Sequence, residues 1–167
     1  MTIHSGDPFA TPAGDRSPVR RLRGRLAAPV TVWTAPGPAG LTVSSVLVAD
    51  GTPGLVLGLV DEESELLAAA RTAGVFLVAP LAPGQERLAD RFAGVLPAPG
   101  GLFAGLACTG TRYGPLPDGL AGWAGCRLLD VAPVGYAVLV RGEIEQVELG
   151  EPAGALLYLR GRYHRAG

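Results

Sequence analysis

The sequence predicts a mainly β fold, an antiparallel barrel or sandwich, with two helices that cover it. From Pro29 onward, short apolar segments rich in Val and Leu alternate with turns rich in Gly and Pro, which is typical of antiparallel sheets. The 167 residues are enough for one domain with a real core. A content of 48% hydrophobic and 17% charged residues excludes a disordered chain.

Seven apolar segments are predicted to be strands because each is bounded by turn residues. Their ranges are 30–34, 41–48, 55–60, 75–78, 122–131, 136–147 and 155–159. The two helices are predicted over residues 62–72, with Asp61 as N-cap and Gly74 at the end, and over residues 85–93, ending at Gly94. Both have apolar residues at helical spacing, so each buries one face against the sheet.

Two segments lie outside this pattern of strands and helices. Residues 1–18 are polar, contain three Pro and have no apolar core, so we expect a flexible N-terminal arm in front of a domain over residues 19–167, and no signal peptide. Residues 97–119 are rich in Gly and Pro. A loop of that length in a compact domain is usually functional or mobile, so this one is a candidate lid.

Composition excludes several classes of function. A net charge of −1 gives no indication of a basic surface that would bind nucleic acid or an anionic membrane. Cys108 and Cys126 have neither redox nor zinc spacing, so we expect reduced thiols and no metal. No apolar segment could span a bilayer without Gly, Pro or charge, so a cytoplasmic location is expected. All fourteen basic residues are Arg, which indicates a GC-rich bacterial source.

The basic run Arg20-Arg21-Leu22-Arg23-Gly24-Arg25 has two interpretations. It is either a clamp for a phosphate or a solvated face, and charge runs near a terminus are more often solvated. The segment Gly40-Leu41-Thr42-Val43-Ser44-Ser45 has a similar ambiguity. Its adjacent hydroxyls after an apolar run suit a site for a polar or anionic group, or they simply end a strand.

A series of motifs in a fixed order places the segment that carries these hydroxyls in a wider resemblance. Val30-Thr31-Val32-Trp33-Thr34 leads through a Gly-Pro turn to Thr42-Val43-Ser44-Ser45, and then to Pro53-Gly54-Leu55. Gly74-Val75-Phe76-Leu77-Val78-Ala79-Pro80-Leu81 precedes Gln85, Leu88, Ala89 and Phe92, and the chain closes with Arg141-Gly142-Glu143-Ile144 and Leu156 to Tyr163. Over about residues 19–163 this resembles the flavin reductase-like family, the FMN-binding split barrels.

The resemblance implies an antiparallel split β-barrel that binds FMN, with FAD as an alternative, and uses NADH or NADPH as co-substrate. It implies a homodimer with the flavin at the interface and a monooxygenase partner that takes the reduced flavin. The positions that match the family's flavin-binding residues are Thr42, Val43, Ser44, Ser45, Ser64 and Ala79.

Two departures from the family pattern concern the chemistry. Ala79 stands where the family carries Asn, and Gly135-Tyr136-Ala137 stands where many members carry Gly-Asp-His. The histidine of that motif is associated with the nicotinamide, so Tyr136 and His164 become the catalytic candidates. The alternative function is a degenerate split barrel that holds flavin or another planar ligand without reductase activity.

Overall fold

In the computed structural model, the described part of the chain is residues 17–167, which form three helices and twelve strands. The helices are α1 (Pro18–Arg23), α2 (Glu65–Ala73) and α3 (Glu86–Phe92). The strands are β1 (Ala28–Pro29), β2 (Thr31–Ala35), β3 (Ala39–Val43), β4 (Val46–Ala49), β5 (Leu55–Val60), β6 (Val75–Pro80), β7 (Cys108–Thr111), β8 (Gly114–Pro117), β9 (Gly122–Val134), β10 (Ala137–Leu149), β11 (Ala155–Leu159) and β12 (Arg162–Ala166).

Seven of these strands form one antiparallel sheet in the order β3-β2-β6-β9-β10-β5-β4. A smaller sheet has the order β1-β11-β12, and β7 and β8 form a hairpin. The small sheet is joined to the large one around Val30, whose N–H donates to the Leu156 carbonyl at 3.0 Å and whose carbonyl accepts from the Leu81 N–H at 2.9 Å. No helix of the described chain is both long and apolar enough to cross a membrane.

The two edge strands of the large sheet, β3 and β4, are consecutive in the chain, with only Ser44 and Ser45 between them. In a flat seven-stranded sheet the edges would lie about 29 Å apart. Three steps along the backbone span at most about 11 Å, so the sheet has to curl until its edges meet. The predicted antiparallel split barrel is confirmed. We call Ser44 and Ser45 the seam.

The core is built on two stacked rings and the glycines that make room for them. Trp33 and Phe76 are buried on β2 and β6, with their ring centroids 5.0 Å apart. A Cβ atom on Gly58 would lie 2.5 Å from the Trp33 ring, and a Cβ on Gly142 would lie 2.5 Å from the Phe76 ring. Since no side chain fits there, β5 and β10 carry glycine at these points.

Most of the predicted elements are present, with corrections at their ends. The strands over 55–60 and 155–159 are confirmed. The single strand predicted over 41–48 is wrong, because its two halves pair with different partners, β2 and β5. The helix predicted from residue 62 begins at Glu65, because Asp61 forms a turn by accepting from the Glu63 N–H at 2.8 Å and leaves the capping to Ser64.

Two segments predicted without regular structure contain some. Ser17 and Pro18, assigned to the N-terminal arm, begin α1, with Ser17 as N-cap; the rest of that arm lies outside the described residues. The candidate lid contains the β7–β8 hairpin, which is attached to the sheet. Tyr113 of that hairpin is buried against Gly125, and the Thr34 hydroxyl donates to the Pro115 carbonyl at 2.8 Å. This half of the loop is therefore fixed to the barrel.

Candidate functional site

The seam opens into a cavity of about 230 Å³ with a basic wall, which we call the basic cavity. It is lined by Arg20, Arg23, Gly24, Leu26, Ala28, Ser44, Ser45, Tyr158, Arg160 and Gly161. Three arginines and the two half-buried seam serines are among these residues, and the described part of the chain contributes no carboxylate. Guanidinium and hydroxyl donors in this combination suit a phosphate.

The basic run enters this cavity because α1 is tied to the hairpin formed by β11 and β12. Pro18 at the first helical position and the Ser17 cap begin α1, and its last turn carries the arginines. The N–H of Arg160, in the hairpin turn, donates to the Gly24 carbonyl at 3.0 Å. Arg20 and Arg23 therefore line the cavity, which favours the interpretation of the run as a phosphate clamp.

A second cavity of about 210 Å³, which we call the ring cavity, adjoins the first. It is lined by Val30, Thr42, Ser44, Ala93, Val95, Tyr158 and Tyr163. Ser44 and Tyr158 line both cavities, so the two lie side by side. Apolar and aromatic walls beside a few hydroxyls suit a flat ring system next to an anion.

The ring cavity has a rigid aromatic wall. Tyr158 and Tyr163 pair edge to face across β11 and β12, with ring centroids 5.6 Å apart. The Tyr163 hydroxyl donates to the buried carboxylate of Asp90 on α3 at 2.7 Å. Burial, and then the Asp90 carboxylate, raise the pKa of Tyr163 well above its ordinary value. Tyr163 is therefore a neutral, fixed wall and not an acid at neutral pH.

Thr42 and Val43 lie at the site with their polar groups already engaged. The Thr42 hydroxyl donates to the Ala89 carbonyl at 2.6 Å, so it has no proton left to give to a phosphate. The Val43 side chain is buried, and its carbonyl accepts from the Thr31 hydroxyl at 2.6 Å. Of the predicted residues, Ser44 and Ser45 are the ones whose hydroxyls face the basic cavity.

The other predicted residues lie away from both cavities. Ser64 caps α2, where its hydroxyl accepts from the Leu67 N–H at 3.3 Å. The Ala79 side chain is fully buried in a cluster with Leu77 and Trp123. Tyr136 is fully exposed in the turn between β9 and β10. The structure does not bring these three residues to the seam, and their flavin-binding or catalytic roles stay predictions.

His164 lies on the opposite face of the β11–β12 hairpin. Side chains alternate along β12, so His164 points away from the ring cavity that Tyr163 lines. It lines a third depression, of about 440 Å³, together with Arg25, Leu159, Arg160 and Arg162. His164 is therefore not beside the seam in a single chain, and its catalytic role also stays a prediction.

The cysteines take no part in the site. Burial raises the pKa of the Cys126 thiol to about 12 and also raises that of Cys108. Both are free thiols, and at neutral pH both are protonated and poorly nucleophilic. Among the described residues, no group of three or more His, Cys, Asp or Glu is arranged to hold a metal ion.

Sequence reasoning missed the residues that the tertiary structure adds from the C-terminal hairpin, Tyr158, Arg160 and Tyr163. The signal that could have found Arg160 is the pair Arg160-Gly161 directly after the apolar segment 155–159, which is typical of a short hairpin turn. No local signal shows that this turn meets Gly24.

The fold and the seam together define a class of protein: an antiparallel split barrel with a basic cavity and an aromatic cavity side by side at its closing edge. Comparison with known proteins names that class. The family model described as flavin reductase like domain matches residues 23–167, and the chain belongs to this family.

Two relatives and one solved structure illustrate the similarity. The chain is 31% identical to FMN reductase (NADH) RutF of Ancylobacter novellus, over 92% of this chain and 86% of that protein. It is 33% identical to the reductase component of 4-hydroxyphenylacetate 3-monooxygenase of Thermus thermophilus, over 84% of this chain and 90% of that protein. The NADH:FAD oxidoreductase SgcE6 of Streptomyces globisporus superimposes with a TM-score of 0.82 at 25% identity, covering 95% and 97% of the two chains.

Proposed function

We propose that this protein is a flavin reductase that binds FMN at the seam and uses NADH to reduce it. The observation that carries the proposal is that the basic cavity and the ring cavity lie side by side and share Ser44 and Tyr158. A phosphate and a planar ring held side by side are the two recognisable parts of FMN. The names of the relatives, FMN reductase (NADH) and NADH:FMN oxidoreductase, support the same reaction.

The donor set fits the cofactor. Ser44, Ser45, Arg23 and Arg160 would hold the phosphate through charge-assisted hydrogen bonds. Tyr158, Val30 and the neutral Tyr163 would form walls for the ring and exclude water from it. Bound flavin supplies the redox chemistry by accepting a hydride from the reduced nicotinamide. This chain's residues contribute binding, orientation and a dry surface, so the reaction needs no catalytic triad.

The test is a titration of FMN into the purified protein, followed by the decrease of flavin absorbance after NADH is added under argon. Binding with quenched flavin fluorescence, and reduction much faster than that of free FMN, are expected. Ser44→Ala combined with Ser45→Ala should weaken FMN binding about tenfold or more, because two hydrogen bonds to a charged group are lost. Thr72→Ala is the matched control, since that hydroxyl donates to its own helix at 3.0 Å. Equal binding by both variants would reject the assignment.

A second candidate function, a split barrel that holds flavin without reducing it, is favoured by one observation. Tyr136 is fully exposed at a hairpin turn and His164 faces away from the ring cavity, so neither replaces the family's nicotinamide-associated histidine within one chain. The same experiment separates the candidates. Tight FMN binding without reduction by NADH or NADPH would establish the binding protein and exclude the reductase.

We further propose a homodimer with the flavin at the interface. Leu47 and Val48 on the edge strand β4 are 71% and 69% exposed, and β4 begins directly after the seam. An exposed apolar edge strand is a typical interaction surface. We expect light scattering to give a dimer, and Leu47→Asp to give a monomer with weakened FMN binding. Val19→Asp, at an exposed apolar residue of α1, is the control and should remain a dimer.

A monooxygenase partner and a cytoplasmic location complete the proposal. The Thermus relative and a Rhodococcus opacus relative are both named as reductase components of monooxygenases, which supports a role in delivering reduced flavin. The test is an assay of cytochrome c reduction by the protein and NADH. We expect the rate to increase when free FMN is added, because reduced FMN leaves the protein and reduces cytochrome c. The arginine-rich, lysine-free composition supports a bacterial source.

A further inference from the structure

The two ends of the seam are fixed by hydrogen bonds from different strands. On the side of β3, the carbonyl of Val43, directly before Ser44, accepts from the Thr31 hydroxyl at 2.6 Å. On the side of β4, the Ser45 carbonyl accepts from the Leu59 N–H at 2.9 Å. The second bond joins two backbone groups, whereas the first depends on one side chain. The backbone that enters the seam is therefore held by the Thr31 hydroxyl.

The direction in which the Thr31 hydroxyl donates is set by Trp33. The Trp33 indole N–H donates to the Thr31 hydroxyl oxygen at 3.0 Å. An indole N–H is a donor only, so the hydroxyl proton cannot point towards it and is available for the Val43 carbonyl. Both side chains are buried, with 5% of Thr31 and 1% of Trp33 exposed, so water does not compete for these groups. The two side chains thus form a fixed chain of hydrogen bonds that ends at the seam.

The Trp33 ring also contacts the strand on the other side of the seam. It lies against Gly58 of β5, where a Cβ atom would lie 2.5 Å from the ring, and it stacks on Phe76. Gly58 pairs with Val46, the first residue of β4. Trp33 therefore packs against β5 with its ring and holds the Thr31 hydroxyl of β2 with its N–H. One buried side chain connects the two sides of the seam.

We propose that Thr31, oriented by Trp33, is a positioning residue for the flavin phosphate. Its hydrogen bond to Val43 fixes the backbone from which the Ser44 and Ser45 hydroxyls reach the basic cavity. The inference rests on the proposed function, which places the phosphate at these hydroxyls. Thr31 itself is buried and lines neither cavity, so it acts through the two serines and does not touch the ligand.

The experiment compares FMN with riboflavin, which has the same ring but no phosphate, by fluorescence titration of the full chain. Thr31→Val keeps the shape of the side chain and removes the hydroxyl; it should weaken FMN binding about fivefold and leave riboflavin binding within about twofold. Thr34→Val is the matched control. Thr34 is buried on the same strand, and its hydroxyl donates to the Pro115 carbonyl at 2.8 Å, outside both cavities. Thr31→Ser keeps the hydroxyl and should restore FMN binding.

A residue that acts through the two serines should have no effect once their hydroxyls are absent. Thr31→Val added to the Ser44→Ala and Ser45→Ala pair should therefore leave FMN affinity within about twofold of that pair. The proposal is overturned if the triple variant loses about another fivefold, or if Thr31→Val weakens FMN and riboflavin equally. It is also overturned if Thr31→Val binds FMN as the parent protein does, or if Thr34→Val shows the same selective loss.

Amide hydrogen exchange of the ligand-free protein tests the seam without any flavin. The Leu59 N–H reports on the seam through its bond to Ser45, and the Leu128 N–H, bonded to the Gly74 carbonyl at 2.9 Å, is the reference for global unfolding. Thr31→Val should speed exchange at Leu59 about tenfold relative to Leu128, and the control variant should not. An unchanged ratio overturns the proposal. If the parent protein does not bind FMN, the proposed function fails, but this ratio still decides whether Thr31 holds the seam.

Discussion

Two groups of arginines in the described chain differ in their partners. On the long β9–β10 hairpin, Arg127 pairs with Glu143 at 2.6 Å and Arg141 pairs with Asp130, and Glu145 of β10 pairs at 3.1 Å with Arg112 from the turn between β7 and β8. Around the seam, Arg23 and Arg160 line a cavity in whose wall residues 17–167 place no carboxylate.

Under the proposed function, the difference separates charge that stabilises the fold from charge that binds a ligand. Exposed ion pairs stabilise a protein by less than about 1 kcal/mol each, but they leave no net charge behind. Neighbouring arginines without a carboxylate repel each other and lower stability until an anion arrives. Under the proposed function, the seam therefore gives up some stability for binding, and the hairpin does not. A carboxylate added to the basic cavity should therefore lower FMN affinity without lowering folding stability. A carboxylate removed from the hairpin should lower folding stability without lowering FMN affinity.

The largest effect is expected from a carboxylate placed in the basic cavity. The new carboxylate of Ser44→Asp would pair with the surrounding guanidinium groups. It would also repel the incoming phosphate, which has the same sign of charge. FMN binding should weaken about 100-fold, while the melting temperature stays the same or rises. Titration and thermal unfolding measure the two quantities. Ser44→Asn has the same size without the charge and should lose much less affinity. Similar affinities for both variants would show that charge does not govern the site.

The reverse change removes the shared carboxylate of the hairpin. Glu145 accepts from Arg112 and from the Tyr113 hydroxyl at 3.0 Å, and also pairs with Arg127 at 3.4 Å. Glu145→Ala should lower the free energy of unfolding by about 2 kcal/mol, because the Tyr113 hydroxyl loses its acceptor. Denaturant unfolding measures the loss. FMN affinity should not change, and a parallel loss of binding would mean that the two regions are coupled.

Single arginine substitutions compare the two groups directly. Arg23→Ser should weaken FMN binding about tenfold without lowering stability, since it removes a cavity arginine. Arg141→Ser should leave binding unchanged and lower the free energy of unfolding by less than about 1 kcal/mol, because its pair with Asp130 is exposed. Titration and denaturant unfolding of each variant give both numbers. The distinction between the groups fails if the two variants behave alike.

The smallest effect is expected in the pH dependence, where each region contributes one tyrosine. Burial, and then hydrogen bonds to Glu145 and Asp90, raise the pKa values of Tyr113 and Tyr163 above the ordinary 10.0. Since the folded-state values are the higher ones, this stabilisation is complete below pH 10 and is lost as the pH rises through the folded-state pKa. Ultraviolet titration should show Tyr113 and Tyr163 resisting ionisation above pH 10.

Substitution with phenylalanine assigns the resistant tyrosines. Tyr113→Phe and Tyr163→Phe should each lower the number of tyrosines that resist ionisation above pH 10 by one. Tyr113→Phe is expected to leave FMN binding unchanged, whereas Tyr163→Phe alters a wall of the ring cavity. Common titration of all four tyrosines near pH 10 in the folded protein would contradict the burial of both rings.

Much of the fold could be predicted because its signals are local. Strand 55–60 is bounded by Gly54 and Asp61, and α2 ends at Gly74, whose φ of 74° suits glycine. The error at the start of α2 was also local: Asp61 and Ser64 are both good caps, and the Asp61 turn decided between them. The seam was found for the same reason, since Thr42-Val43-Ser44-Ser45 is one continuous segment.

The sequence by itself determined an antiparallel β domain, its family and the hydroxyls of the seam. Each of these follows from the alternation of apolar segments and turns, from the turn residues or from the order of the motifs, and all of these are features of short segments. Only the tertiary structure decided that one predicted strand divides into β3 and β4 at the two edges of a curled sheet. It also decided that Arg23 and Arg160, from opposite ends of the chain, share one cavity. The physical reason is that this meeting depends on sheet closure and on the hydrogen bond between Arg160 and Gly24, which no local pattern encodes.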